Sequence, residues 1–409
     1  MCRTPPDQLL QSRHSSHHLK AAQPITRFSR SDFAKRVQVY SHYAELSSRA
    51  FRTNLPAVDQ FPTTLWAKVV ARRLQLVTSQ QLLHCQPQGY EPLRVAIAEY
   101  LGISRGVHCS ADQVLIVSGI QEALDLVGRL LINPGDPVLI EDPGYQVAHK
   151  IFVAAGAKLV PMPIDAMGAA PRHQDFRAAR LIYLTPAHQF PLGITMPVTR
   201  RFDILRHARE AGTYIFEDDY ESEYRYSGSP LPALQGLDRS GSVILAGSFN
   251  KTLFPSLRMG YMVLPLELVE IFTRTKALVN RHHSALDQAV VCDFIEQGHF
   301  GRHLRRMRKL YSERLSALSF HVERHLSDFV ELSKVEAGLQ TVGWLSQGLS
   351  AEAVATAAAT RKVDVVPLSR YTNKLSVAEG LQIGFAAVDE RSIEIGVKNL
   401  LKAFESLHR

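Results

Sequence analysis

A lysine with a serine three residues before it and an arginine seven residues after it carries the most explicit chemistry in this chain. Ser248, Lys251 and Arg258 follow the apolar run Val243-Ile244-Leu245-Ala246. Such a run reads as a buried strand, so the residues after it leave the strand's carboxyl end. A primary amine condenses with an aldehyde, while a hydroxyl and a guanidinium grip a phosphate. The trio suits a covalently held aldehyde bearing a phosphate, which is the chemical description of pyridoxal 5'-phosphate (PLP).

Other candidates lie beyond other short runs. Glu217-Asp218-Asp219-Tyr220 ends the run Tyr214-Ile215-Phe216. PLP chemistry needs a carboxylate at the pyridine nitrogen, so that the protonated ring can draw electrons from a substrate carbanion. Asp218 suits that role, with Tyr220 as donor to the ring's phenolate oxygen. Ser118-Gly119-Ile120-Gln121-Glu122 lies between a strand and a helix. Ser118 and Gln121 match a capping box, and Gly119 lets the backbone approach a phosphate at a helix N-terminus. Tyr145, in Asp142-Pro143-Gly144-Tyr145, could stack on the ring. In Thr185-Pro186-Ala187-His188-Gln189-Phe190-Pro191-Leu192-Gly193, either His188 or Gln189 could reach the ring oxygen, or both could be structural.

These motifs need a scaffold. Runs at 114–117, 138–140, 158–161, 181–184, 214–216, 243–246 and 260–264 read as strands, with helices over 121–131, 145–155 and 198–211. Helices before the first strand cover 62–76 and about 90–101. Short apolar strands alternating with helices predict an α/β fold with a mostly parallel sheet covered on both faces. Ligands sit at the carboxyl ends of such strands, where every motif above falls. The division expected is a basic, linker-like tail over 1–54, a large PLP-binding domain over 55–275 whose first helix contributes to the smaller domain, and a small α+β domain over 276–409. The small domain shows strands at 338–342 and 381–385 and helices at 351–360 and 391–406.

Bulk properties narrow the function classes. The 409 residues carry a net charge of +8, and 45% are hydrophobic. The first 50 residues hold eight Lys/Arg against three Asp/Glu. Such a leader could touch nucleic-acid phosphates, but its unpatterned composition favours a solvated linker. His14, His17 and His18 fall in the same segment and read as incidental, so no metal site is assigned. Residues 300–311 are strongly basic, yet Leu304, Met307 and Tyr311 recur at helical spacing, which favours a solvated or dimer-facing helix over a DNA reader. The chain has neither the apolar core of a secretory signal nor a run long enough to span a membrane. Cys2, Cys85, Cys109 and Cys292 are scattered and read as free thiols, which points to the cytoplasm.

In combination the motifs resemble the fold-type I PLP-dependent aminotransferases, and within them the aminotransferase-like effector half of MocR/GabR-type transcriptional regulators of the GntR family. The resemblance runs from about Phe61 to the C-terminus. It is carried by Phe61-Pro62 with Trp66, Gly89-Tyr90 with Leu93-Arg94, Ser118-Gly119 with Gln121, and Glu141 through Tyr145. His188 through Pro191, Glu217 through Tyr220, Tyr226-Ser227-Gly228 and Ser248 through Tyr261 continue it. The last pieces are Gly298-His299-Phe300 with Arg302 through Arg308, and Pro367 through Tyr371.

The resemblance implies a seven-stranded large-domain sheet and a Schiff base between Lys251 and PLP. Asp218 would pair with the pyridine nitrogen, Tyr220 with the ring oxygen, and Tyr145 would stack. Ser118, Gly119, Ile120, Ser248 and Arg258 would hold the phosphate, and Arg370 would bind a ligand carboxylate. Such proteins are homodimers with sites at the subunit interface. The function implied is a sensor forming an aldimine with an amino acid or amine, or alternatively a working transaminase. DNA would be a partner only through a separate or missing winged helix-turn-helix, since only a short basic segment precedes the effector-like region. Asn250 stands where the family usually has a small residue. Phe190-Pro191-Leu192-Gly193 replaces the Asn-Pro-Thr-Gly of many transaminases, and Gln382 stands about where those enzymes place a carboxylate-binding arginine. The last two favour the regulator branch.

Overall fold

A computed structural model describes residues 29–37, 49–228 and 231–407. The His14, His17 and His18 cluster and most of the basic leader lie outside them. Seven strands form the main sheet: β1 (Val114–Val117), β2 (Pro137–Glu141), β3 (Lys158–Met162), β6 (Leu181–Leu184), β7 (Tyr214–Asp219), β8 (Val243–Ser248) and β9 (Gly260–Val263). The short pair β4 (Ile164–Asp165) and β5 (Gly168–Ala169) stands apart from it. Their order is β1-β9-β8-β7-β6-β2-β3. Only β9 is antiparallel to its neighbours.

This topology gathers the motifs. With β9 reversed, the residues that follow β1, β2, β6, β7 and β8 and those that precede β9 share one sheet edge. Side chains alternate between faces along each strand. Val138, Ile140, Leu181, Tyr183, Phe216, Ile244 and Ala246 pack with the helices Ile120–Leu131 and Gln146–Ala155, whereas Leu139, Ile182, Leu184, Ile215 and Val243 pack with Ile204, Leu205 and Ala208 of helix Val198–Ala211. Both faces are therefore dry, as the apolar runs predict.

A second sheet, β10 (Val330–Leu332), β11 (Gln340–Leu345), β13 (Gly380–Gly384) and β12 (Val366–Pro367) in that order, is entirely antiparallel. Residues Ala50 and Phe51 bridge to Val363 and Gly384, tying the chain ahead of the first long helix to this sheet. Helix His299–Leu326 extends well past the basic stretch because the buried stripe of Leu304, Met307 and Tyr311 continues through Leu318, Val322 and Leu326. Helix Ala285–Glu296 packs against helices Thr63–Leu76 and Glu91–Arg105. None of the helices among the described residues is long and apolar enough to cross a membrane.

Candidate active site

Strand β7 runs through Asp219, further than the apolar run suggests, so its acidic residues obey strand alternation. Asp218 shares a face with Phe216 and accepts a hydrogen bond from the Tyr183 hydroxyl at 2.7 Å. Its other oxygen, Oδ1, is buried without a partner. Burial pushes this carboxyl up to about 7, against the pull of the Tyr183 hydrogen bond. Asp219 turns the other way and pairs with Arg105 at 2.8 Å, both side chains being buried. Removing one half of such a pair strands a buried charge and typically costs about 3–5 kcal/mol. Asp219→Ala is thus expected to lower the denaturant midpoint sharply by locally weakening the fold, without touching the face that carries Asp218.

Beyond β8, Ser248 caps the short helix Phe249–Thr252, its Oγ accepting from the Asn250 N–H at 3.2 Å. The Ser248 hydroxyl keeps its own proton to donate. Lys251 is partly buried within this turn, and its Nζ donates to the backbone carbonyl of Asn54. Burial lowers the ammonium to about 8, while Glu221 and Asp218 oppose that shift. About a tenth is therefore a free, nucleophilic amine at pH 7, far more than for an ordinary lysine. The rate at which the cofactor-free protein captures PLP should rise about tenfold per pH unit below about 8 and level off above it, followed by stopped-flow absorbance. A pH-independent rate between 6 and 8 would contradict this account of the amine.

The phosphate end is equally built. Gly119, not Ser118, is the residue that precedes helix Ile120–Leu131, at φ +123°. No side chain caps this helix, so the expected Ser118–Gln121 capping box is absent. Glu122 instead accepts from the Ser118 N–H at 2.5 Å and pairs with His283 at 2.9 Å. Although burial opposes it, those hydrogen bonds hold the Glu122 carboxyl down at about 2. The helix N-terminus is left with free N–H groups, a natural anion site. A Cβ on Gly119 would lie 3.3 Å from the Asn250 amide and 3.8 Å from Ser248 Oγ, which places that loop against the β8 turn. Arg258 reaches the same end, its guanidinium 3.5 Å from Gln121 Oε1. Ile120 packs its side chain into the core behind them.

Tyr220 is partly buried, and its hydroxyl is buried without a partner. His188 stacks on its ring at 5.9 Å and 11°. Burial pushes His188 down to about 4, so it is neutral, with Nδ1 3.5 Å from Glu221. Tyr145 heads helix Gln146–Ala155 and meets Phe190 edge-on at 5.8 Å. Two of the expected site residues are engaged by other parts of the protein. The Gln189 amide is consumed by Pro143 and Phe190 carbonyls and by Glu141, while its Oε1 accepts from Leu192 N–H, so Gln189 shapes its own loop. Arg370 is engaged with Glu352 at 2.6 Å, in a half-exposed ion pair.

Asn54, Tyr183, Glu221 and Gln340 were not legible as site residues. Asn54 meets Lys251 across 197 residues of chain. Tyr183 alone left a signal, a single hydroxyl inside the apolar run Leu181–Leu184.

The residues present fit PLP. A buried amine, a carboxylate oxygen wanting a cationic N–H, a hydroxyl without a partner and a glycine-edged helix terminus answer its aldehyde, pyridine nitrogen, ring oxygen and phosphate. A family model for class I and II aminotransferases matches residues 52–400. The chain belongs to that family. Its cofactor is PLP, and its fold is that of the fold-type I PLP enzymes.

Family relatives divide into two kinds. The chain is 39% identical over 358 residues to the probable rhizopine catabolism regulatory protein MocR of Rhizobium meliloti, covering 88% of this chain and 73% of that protein. It is 30% identical to the 2-aminoadipate transaminase of Thermus thermophilus, covering 88% of this chain and 90% of that enzyme. Among solved structures, the α-aminoadipate aminotransferase LysN from Thermus thermophilus, complexed with N-(5'-phosphopyridoxyl)-L-leucine, superposes with a TM-score of 0.84 at 30% identity, over 92% of this chain and 97% of that one.

Proposed function

We propose that this chain is a PLP-holding sensor module of the MocR type, which responds to an amino acid or amine at Lys251. The observation that carries the reading is the pairing of a complete PLP-holding set with an altered ligand wall. Lys251, Asp218 and Tyr220 are the residues that would hold the cofactor, yet the loop after β6 sets the apolar ring of Phe190 6.0 Å from Tyr220. Gln382 is buried on β13 and accepts from the Tyr371 hydroxyl at 2.6 Å. The 39% likeness to MocR supports the same choice.

The cofactor, when bound, supplies an aldehyde that condenses with primary amines and a ring that draws electrons from an adjacent carbon. The protein's residues do the rest. Asp218 Oδ1 would accept the ring's N–H, and Tyr220 would donate its hydroxyl proton to the ring oxygen. Ser248 Oγ, the N–H groups after Gly119 and the Arg258 guanidinium would hold the phosphate, with Tyr145 over the ring. Whenever it is not bonded to the cofactor, Lys251 Nζ would hold a proton and donate to the Asn54 carbonyl.

Signalling needs a movable part. Asp142, beyond β2, accepts N–H groups from Asn373, Lys374 and Leu375, and Glu221 accepts the Leu339 N–H. These bonds join the crevice to the second sheet, so a ligand that binds one arrangement better shifts the population toward it. A homodimer with the crevice at its interface would carry the change between subunits.

A second reading, a working transaminase, is favoured by the amine pKa near 8, which suits a base moving a proton from Cα. The two separate cleanly. A sensor changes its visible absorbance with an amino acid or amine while keto acid stays at one equivalent or less; sustained keto-acid formation with an acceptor present would overturn the proposal in favour of the enzyme.

A further inference from the structure

Two glutamines on the second sheet hold unused hydrogen-bond donors at the ligand side of the crevice. Val342 on β11 pairs with Gln382 on β13, and Gln340 lies two residues before Val342, so all three point to one face. That face looks onto the crevice, because Val342 packs with Phe190 and Tyr371, and the Phe190 ring lies against Tyr220 and Tyr145. Gln340 also reaches it from below. Its Oε1 accepts the Asn54 N–H at 2.9 Å, and the Asn54 carbonyl is the partner of Lys251.

Both amides are buried, Gln340 at 3% and Gln382 at 0% exposure, and the Nε2 of each lacks a partner. The Gln340 orientation is fixed by chemistry, since a backbone N–H can only donate and must face the amide oxygen. A buried donor left without an acceptor is costly, so these two N–H₂ groups call for oxygens supplied from elsewhere.

The charges around them say which oxygens. Asp218 and Glu221 are both buried carboxyl groups within electrostatic reach of Lys251. The nearby guanidinium groups each already pair with a carboxylate: Arg225 with Glu336, its Nε alone unpartnered, Arg370 with Glu352, Arg52 with Asp364. Arg258 stands at the phosphate end. A carboxylate placed at these two amides would lose its hydration in reach of Glu221 and meet neutral donors there, which is unfavourable. A hydroxyl or amide oxygen satisfies the same donors without that penalty.

We infer that the crevice is built for a primary amine bearing neutral hydroxyl or amide oxygens, such as an amino alcohol or amino sugar, in preference to an α-amino acid. Gln340 and Gln382 are its specificity-determining residues. The inference rests on the reading of the crevice as a PLP-holding amine site.

The test is a spectroscopic titration of the PLP-loaded full chain with 2-amino-1,3-propanediol and with serine, which differ only in a CH₂OH replacing the carboxylate. The amino alcohol is expected to bind at least about tenfold more tightly. Gln382→Met and, independently, Gln340→Met should each weaken it by about tenfold, the scale of one lost hydrogen bond, and reduce its preference over serine by the same factor. Equal or tighter binding of serine, no response to either amine with the Lys251 band intact, or unchanged affinity in both variants would overturn the inference. Absence of any Lys251–PLP band would instead overturn the reading beneath it.

Discussion

Replacing Lys251 with alanine is expected to remove the visible imine absorbance of the PLP-loaded protein completely and to abolish its response to amines. The cofactor should still bind without a covalent bond, because the groups that would hold its ring and phosphate come from other segments: Asp218 on β7, the N–H groups after Gly119, Ser248 and Arg258. Stability of the cofactor-free protein should not fall, since the change also removes a buried cation whose charged form is disfavoured by burial. Absorbance spectra and equilibrium dialysis of the variant give both halves of the result. An unchanged imine band would place the covalent bond on another lysine and remove the basis of the proposed function.

Asp218→Asn should act in opposite directions on the two forms of the protein. In the cofactor-free chain, the Asp218 carboxyl is raised by burial to about 7. The sign follows from linkage. A carboxyl raised above its unfolded value contributes stability in acid and loses it as pH climbs through about 7. At pH 8 the ionised form is therefore a liability, and asparagine, which still accepts from the Tyr183 hydroxyl, should stabilise the empty protein by about 2 kcal/mol. In the loaded protein the same change removes the acceptor for the pyridine N–H. Reactivity toward amines should drop by about 10²-fold or more, on the scale of one lost charge-assisted contact in a dry site. Thermal melts of the empty variant and stopped-flow amine exchange of the loaded one check the two halves. A variant that is less stable when empty would mean that Asp218 is a structural residue.

The parts of this molecule that were legible in its sequence are those set by local pattern. The runs Val114–Val117, Leu181–Leu184 and Val243–Ala246 are continuous apolar stretches because their strands are buried on both faces, and they located three of the motif-bearing sheet ends. Alternation along β7 sends Asp218 to Tyr183 and Asp219 to Arg105, a separation that strand periodicity makes legible. Local pattern misled at Ser118, where a capping-box spacing was present but the +123° φ of Gly119 moved the helix start by one residue and gave the Ser118 N–H to Glu122. It was silent on Asn54, Glu221 and Gln340. Their relevance arises only when the second sheet closes against the edge of the first, and neither their identity nor their spacing announces that. Arg370 shows the converse: a guanidinium in a matching motif was spent on Glu352, a partner on another element.

The account stands on one covalent bond, and its most direct test is chemical. The chain should be loaded with PLP, reduced with borohydride to make the link permanent, digested and mapped by mass spectrometry. The phosphopyridoxyl group is predicted on Lys251 alone, in the peptide that follows β8, at close to one per chain. A label on Lys276 or scattered over surface lysines, or no label at all, would contradict it.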